Sequence, residues 1–182
     1  MLSLCNHYRE LRVHIYDHSG SAVSPPFHIS QQKKKFLQIL SAIVFGNGEC
    51  IGFDTTMNIR QLKLPVLSRL NDNWYDILEV LFSSHGLVGR GTVCYLARKD
   101  DEEYIIKDHW VLGNADDEDI LNEVAMLKKM QGVRGVPELV EFSKVKLLTG
   151  EVDNTKIYRY QELPSLVGTW RTHFRLIMKP RG

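Results

Sequence analysis

The alternation of apolar and polar positions divides the chain into short strand-like runs interrupted by two helical stretches. LRVHIYD is a β-rich run, DHSGS supplies turn chemistry and AVSPPFHI returns, so residues 11–30 are expected to form a hairpin. Pro25 and Pro26 lack the N–H that a central strand needs, which puts the return at an edge or a loop entry. After Lys33–Lys35, the residues Phe36, Leu37, Leu40 and Ile43 or Val44 recur at helical spacing. That spacing predicts an amphipathic helix ending at Gly46-Asn47-Gly48. Between 49 and 73, IGFDTTMNI and LPVL are short extended candidates, the second broken by Pro65, and no element is assigned.

From Trp74 the pattern sharpens. YDILEVLF, TVCYLAR and YIIKDHWVL read as three strands, the first two joined by the glycine-rich HGLVGRG and the last two by the polar KDDEE. NADDED places acids where a helix N-terminus favours negative charge, and ILNEVAMLKKM follows as a helix with lysines in its last turn, closed by the glycines of QGVRG. ELVEFSKVKLL is a fourth strand. After a polar stretch to about Thr172, HFRLIM is a fifth, and the chain ends KPRG. The expected order is β-β-β-α-β-β. The chain divides into an N-terminal region, residues 1–73, and a second region, residues 74–182.

Composition narrows the partners. Lys plus Arg is 23 and Asp plus Glu is 22, a balance that provides no overall field for nucleic acid or an anionic membrane. Cys5, Cys50 and Cys94 are odd in number and far apart, which argues against a disulfide framework or zinc site and for an intracellular, cytoplasmic or nuclear, setting. No apolar stretch approaches a membrane span, and the seven histidines have no ligand-like spacing, so no metal site is expected.

Three features carry candidate chemistry. The first is the turn Gly86-Leu87-Val88-Gly89-Arg90-Gly91-Thr92-Val93 between two strands. Glycine lets backbone N–H groups approach a phosphate, although the turn taken alone reads more readily as a tight hairpin. The second is Lys107, central in YIIKDHW, with Ile105 on the same side by the period of two. It is either a cation beside an apolar roof or part of a strand whose one face meets solvent. The third is Glu123, which shares a helical stripe with Ile120, Val124, Leu127 and Met130. It either reaches water at the stripe's edge or turns inward, where a carboxylate needs a partner, and Lys107 is the obvious one.

Taken together, GRGTVCYLAR, EEYIIKDHW, NEVAMLKKM, GVPELVEF and HFRLIMKPRG resemble the fungal-type protein kinase family, as do the upstream YDHSGSAVSPPFHIS and IGFDTTM. The resemblance covers about residues 9–182 and implies an α+β fold. In that fold a protein-kinase-like N-lobe, a five-stranded antiparallel sheet with one C-type helix, follows an α/β N-terminal extension. It further implies ATP as ligand, with magnesium in a full-length form, and a protein substrate or the missing large lobe as partner. By this resemblance Gly89 and Gly91 match the glycine loop, Val93 the valine that roofs the adenine, and Ile105 the apolar residue two before the lysine. Lys107 matches the phosphate-binding lysine and Glu123 its helix partner, while Met178 to Pro180 begin the hinge. The loop departs from the family pattern: anchored on Val93, Val88 replaces the middle glycine; anchored on Gly89-Arg90-Gly91, the loop is two residues short.

Neither an HRDxxxxN loop nor a DFG turn occurs in the sequence, so the large lobe is expected to be absent and the chain inactive alone. Three readings follow: a partial protein kinase chain, a stand-alone small lobe acting as a binding or regulatory module, and a small α+β interaction protein that binds no nucleotide.

Overall fold

The computed structural model describes residues 1–48, 52, 54, 57–59, 66–70, 73–86, 88–113, 118–147, 149–158 and 170–180, with only the backbone for 58, 59, 66–70 and 118–121. Pro65, Leu87 and the side chain of Ile120 lie outside the described parts. The protein is mostly β, with antiparallel sheets and, among the described residues, two helices.

The N-terminal region forms a small sheet. β1 (Leu2–Cys5) and β3 (Gly20–Val23) flank β2 (Glu10–Asp17), and β4 (Phe27–His28) also pairs with β2. The expected hairpin is β2–β3. Its return strand is interrupted at Pro25-Pro26, which cannot donate to the ladder, and resumes as β4. Helix α1 (Lys33–Phe45) begins within the lysine triplet and ends at Gly46, whose N–H donates to the Ala42 carbonyl (3.0 Å).

Among the described residues the second sheet has seven strands rather than five. β7 (Asn73–Ser83), β8 (Val93–Lys99), β9 (Glu102–Leu112), β10 (Glu138–Lys144) and β11 (Arg171–Lys179) are the expected five. β5 (Met57–Ile59) and β6 (Val66–Leu70) extend them in the order β10-β11-β9-β8-β7-β6-β5. Residues 49–73, given no element from the sequence, thus supply two strands and the first residue of β7 to a sheet otherwise built from residues 74–182. Three-residue and five-residue strands are too short for a period of two to stand out. Helix α2 (Glu118–Lys129) connects β9 to the edge strand β10, and β11 returns between them.

Ladder partners share a face, so the register sorts the side chains into two layers. Tyr75, Ile77, Ala97, Tyr104, Ile106 and Ile177 form one core on the first face. Val111, Phe174 and Leu176 form another on the opposite face, where Val124 of α2 covers them. β11 is buried from Thr172 to Met178, as its central place demands.

Candidate functional site

The face covered by α2 is the one that carries Lys107. Across the ladder from Lys107 stand Cys94 on β8 and Leu176 on β11; across from Ile105 stand Leu96 and Met178. Phe82 pairs with Cys94 and joins the same face at its edge, 55% exposed. The strand spacing therefore gathers Cys94, Leu96, Ile105 and Met178 on one face of the sheet beside one ammonium.

Helix α2 brings the carboxylate. Glu123 lies beside Val124, whose side chain is buried against the sheet, and the Lys107 ammonium donates to Glu123 Oε1. Neither group is fully buried; their side chains retain 22% and 30% exposure. Burial works to raise the Glu123 carboxyl, but the hydrogen bond and charge of Lys107, with Arg90 beyond it, hold it below the usual carboxylate range. The Arg90 guanidinium reaches toward the other oxygen, Oε2, at 3.9 Å. Further along the same strand, His109 is buried with its Nδ1 unpartnered among the described residues. Burial first, then the charge of Lys107, pushes its pKa down to about 4, so the ring is neutral.

The glycine-rich turn stands differently from the sequence expectation. Gly89 (φ +119°) and Gly91 (φ +50°) both occupy backbone conformations that favour glycine. The Gly89 N–H donates to the His18 carbonyl (2.9 Å), and a Cβ on Gly91 would fall 2.1 Å from His18 Cε1. Val93, expected on the Lys107 side, pairs with Asp108 and shares the opposite face, so Cys94 takes its place beside the lysine. The structure thus brings Ile105, Lys107, Glu123 and Met178 together and turns Val93 away. Cys94, Leu96, Phe82 and Arg90 are the residues that sequence reasoning missed. Only the cross-strand register assigns the first three, and hairpin length, not visible in a period of two, sets that register.

Asp108 belongs to a separate polar network. Arg175, fully buried, donates through Nε and Nη2 to the two oxygens of Asp108 (2.6 and 2.7 Å) and through Nη2 to Asp54 (2.9 Å). Asp54, Asp108 and His173 are close enough to hold a cation, but their carboxylates already compensate Arg175. Asp17 and His18 sit at a hairpin tip and Asp108 faces the other side of the sheet, while His109 shares the Lys107 face as a buried neutral ring.

An ammonium oriented by a carboxylate, beside an apolar face edged by an exposed aromatic ring, suits a ligand with a flat apolar part and an anionic tail. The sequence model of the family described as Fungal protein kinase matches residues 2–179. No curated protein matches the chain.

Proposed function

The chain belongs to the fungal protein kinase family, and from that premise we propose that it supplies the ATP-binding lobe for phosphorylation of serine or threonine hydroxyls on a protein. The observation that carries this reading is the hydrogen bond from Lys107 to Glu123, which links the third strand of the expected five to the helix that follows it. In this reading Lys107 holds phosphate oxygens of ATP and Glu123 keeps the ammonium aimed. Cys94 and Leu96, rather than Val93, roof the base; Ile105 and Met178 line it, and Phe82 closes the open edge. In this reading the strands β7 to β11 with α2 would serve as the small lobe, with β5–β6 added at its edge.

Magnesium would accompany ATP on its phosphates. Among the described residues, the acids grouped closely enough for a metal face away from Lys107 and are bonded to Arg175, so this chain's own contribution to the metal is not drawn from them. Protein substrate and a large lobe are the partners this reading requires.

A second reading, a binding or regulatory module that does not take nucleotide, is favoured by one contact. The Gly89 N–H, which a phosphate would use, is already engaged by His18. Titration calorimetry of Mg-ATP into the intact chain and Lys107→Ala separates the two. Binding by the intact chain, lost in the variant, supports the ATP-binding lobe. Equal heats of dilution for both would leave the nucleotide-free module.

A further inference from the structure

The N-terminal hairpin tip meets two glycines of the glycine-rich turn, and β9 meets the arginine between them. Gly89 gives its N–H to the His18 carbonyl (2.9 Å), Arg90 accepts at its carbonyl from the Trp110 N–H (2.7 Å), and Gly91 lies directly under the His18 ring. The ring is itself held from behind: it stacks on Trp110 at 4.8 Å, and Trp110 stacks on His173 at 4.6 Å. His173 Nδ1 in turn meets Asp153 Oδ2 at 2.9 Å. Next to His18, the Ser19 hydroxyl is 2.7 Å from that of buried Thr155, 136 residues away. The tip is shaped to make these contacts, since the Ser19 N–H donates to Asp17 Oδ1 (2.7 Å) and closes an Asx-turn.

We propose that His18 is a positioning residue: the tip of the β2–β3 hairpin clamps the glycine-rich turn and, through it, sets where Arg90 stands relative to Glu123. The turn is thereby held by a segment remote in sequence together with β9, since its glycines by themselves leave the backbone free. Gly91 is glycine because the clamp leaves no room for a Cβ. Burial lowers the His18 pKa and His173 adds to this, against the pull of Asp17, so a neutral ring is what stacks on the indole. The consequence for ligand binding rests on the ATP reading above; the clamp itself does not.

Amide hydrogen exchange on the full chain, read residue by residue by NMR, tests it without nucleotide. In the intact protein the Gly89 amide is expected to exchange about ten-fold or more below the unstructured rate. His18→Ala removes the ring and should erase most of that protection. His18→Phe keeps a flat ring on Trp110, discards the unpartnered Nδ1, and should retain it. Exchange of Gly89 at the unstructured rate in the intact chain would overturn the clamp, as would unchanged protection in His18→Ala. Should the alanine variant unfold, the intact chain and His18→Phe decide, and lost protection in a folded His18→Phe protein counts against the ring's role.

A second measurement joins the clamp to the site. The dissociation constant for Mg-ATP should rise about three-fold or more in His18→Ala and stay level in His18→Phe. Equal affinities in proteins that differ in Gly89 protection would overturn that link. No ATP binding by the intact chain, with Gly89 behaving as described, would support the clamp and remove only the nucleotide reading.

Discussion

Cys94 stands directly across the ladder from Lys107, so a thiol and an ammonium open onto the same face of the sheet. Burial raises the Cys94 pKa, with Lys107 pulling against it and Asp108 and Glu123 adding to it. The thiolate is the reactive form, so alkylation near pH 7.5 should run about ten-fold slower than for free cysteine and speed up as pH rises. Saturating Mg-ATP should slow it further, by about three-fold or more, if the base covers this position. Peptide mass spectrometry of iodoacetamide-treated protein reads both effects. Labelling indifferent to nucleotide would take Cys94 out of the roof.

Lys107 and Glu123 do not contribute equally to ligand binding. Lys107→Ala removes the cation that meets the phosphates and should abolish the thermal shift produced by Mg-ATP. Glu123→Gln leaves the cation and removes only its aim, so the shift should shrink without vanishing. Glu123→Gln also leaves the half-buried Lys107 ammonium without its carboxylate, and Lys107→Ala leaves Glu123 with only Arg90, at 3.9 Å. A fully buried broken pair costs about 3–5 kcal/mol, and with solvent reaching both groups we expect about 1–3 kcal/mol here. Denaturant melts give the second number; an undiminished shift in Lys107→Ala would refute the phosphate role.

The depressed pKa of His109 makes a prediction about acid. The folded protein holds this ring neutral, with its pKa lowered from 6.5 to about 4, while the unfolded chain keeps the ordinary value. Above pH 6.5 neither state binds the proton, and the contribution to stability is fully present. As pH falls from 6.5 toward 4 the unfolded chain takes up the proton first, so stability is lost across that window, by roughly 3 kcal/mol in total. Glu123 adds a loss at lower pH, because its depressed carboxyl favours the folded state above the ordinary carboxylate range and releases that contribution below it. His109→Leu should flatten the stability profile between pH 6.5 and 4 and leave the lower limb. An unaltered slope in that variant would assign the acid loss elsewhere.

The sequence revealed the five long strands and α2 because each carries a sustained period and is bounded by glycine or charge. It also marked Lys107, Ile105 and Glu123 as candidates, although the period of two and the helical stripe left open whether the lysine and glutamate met each other or solvent. β5 and β6 showed only as the short extended candidates IGFDTTMNI and LPVL, too short for any period to assign. Val93, matched only by resemblance to the valine over the adenine, pairs with Asp108 on the face opposite Lys107; one residue of register flips a side chain, and the hairpin between β8 and β9 fixes the register. The contact between His18 and Gly91 joins residues 73 positions apart and has no local signature at all.

The last prediction concerns what holds the other face of the sheet. Burial opposes the charge of Arg175, and Asp108 and Asp54 overcome it, holding its pKa above the usual range. Arg175→Met removes the cation but leaves Asp108 desolvated against an apolar sheet, at about 3–5 kcal/mol, or a fall in Tm of about 10 °C. Arg175→Lys should not rescue it, because a point charge cannot meet both oxygens of Asp108 as the guanidinium does. The double change Arg175→Met with Asp108→Leu removes both charges and should recover most of the loss, since the damage comes from the stranded carboxylate rather than the missing bond. Calorimetric melts of the three variants distinguish these terms. A double variant as unstable as Arg175→Met alone would mean that Asp54, the remaining acid of the network, or the packing of the guanidinium dominates instead.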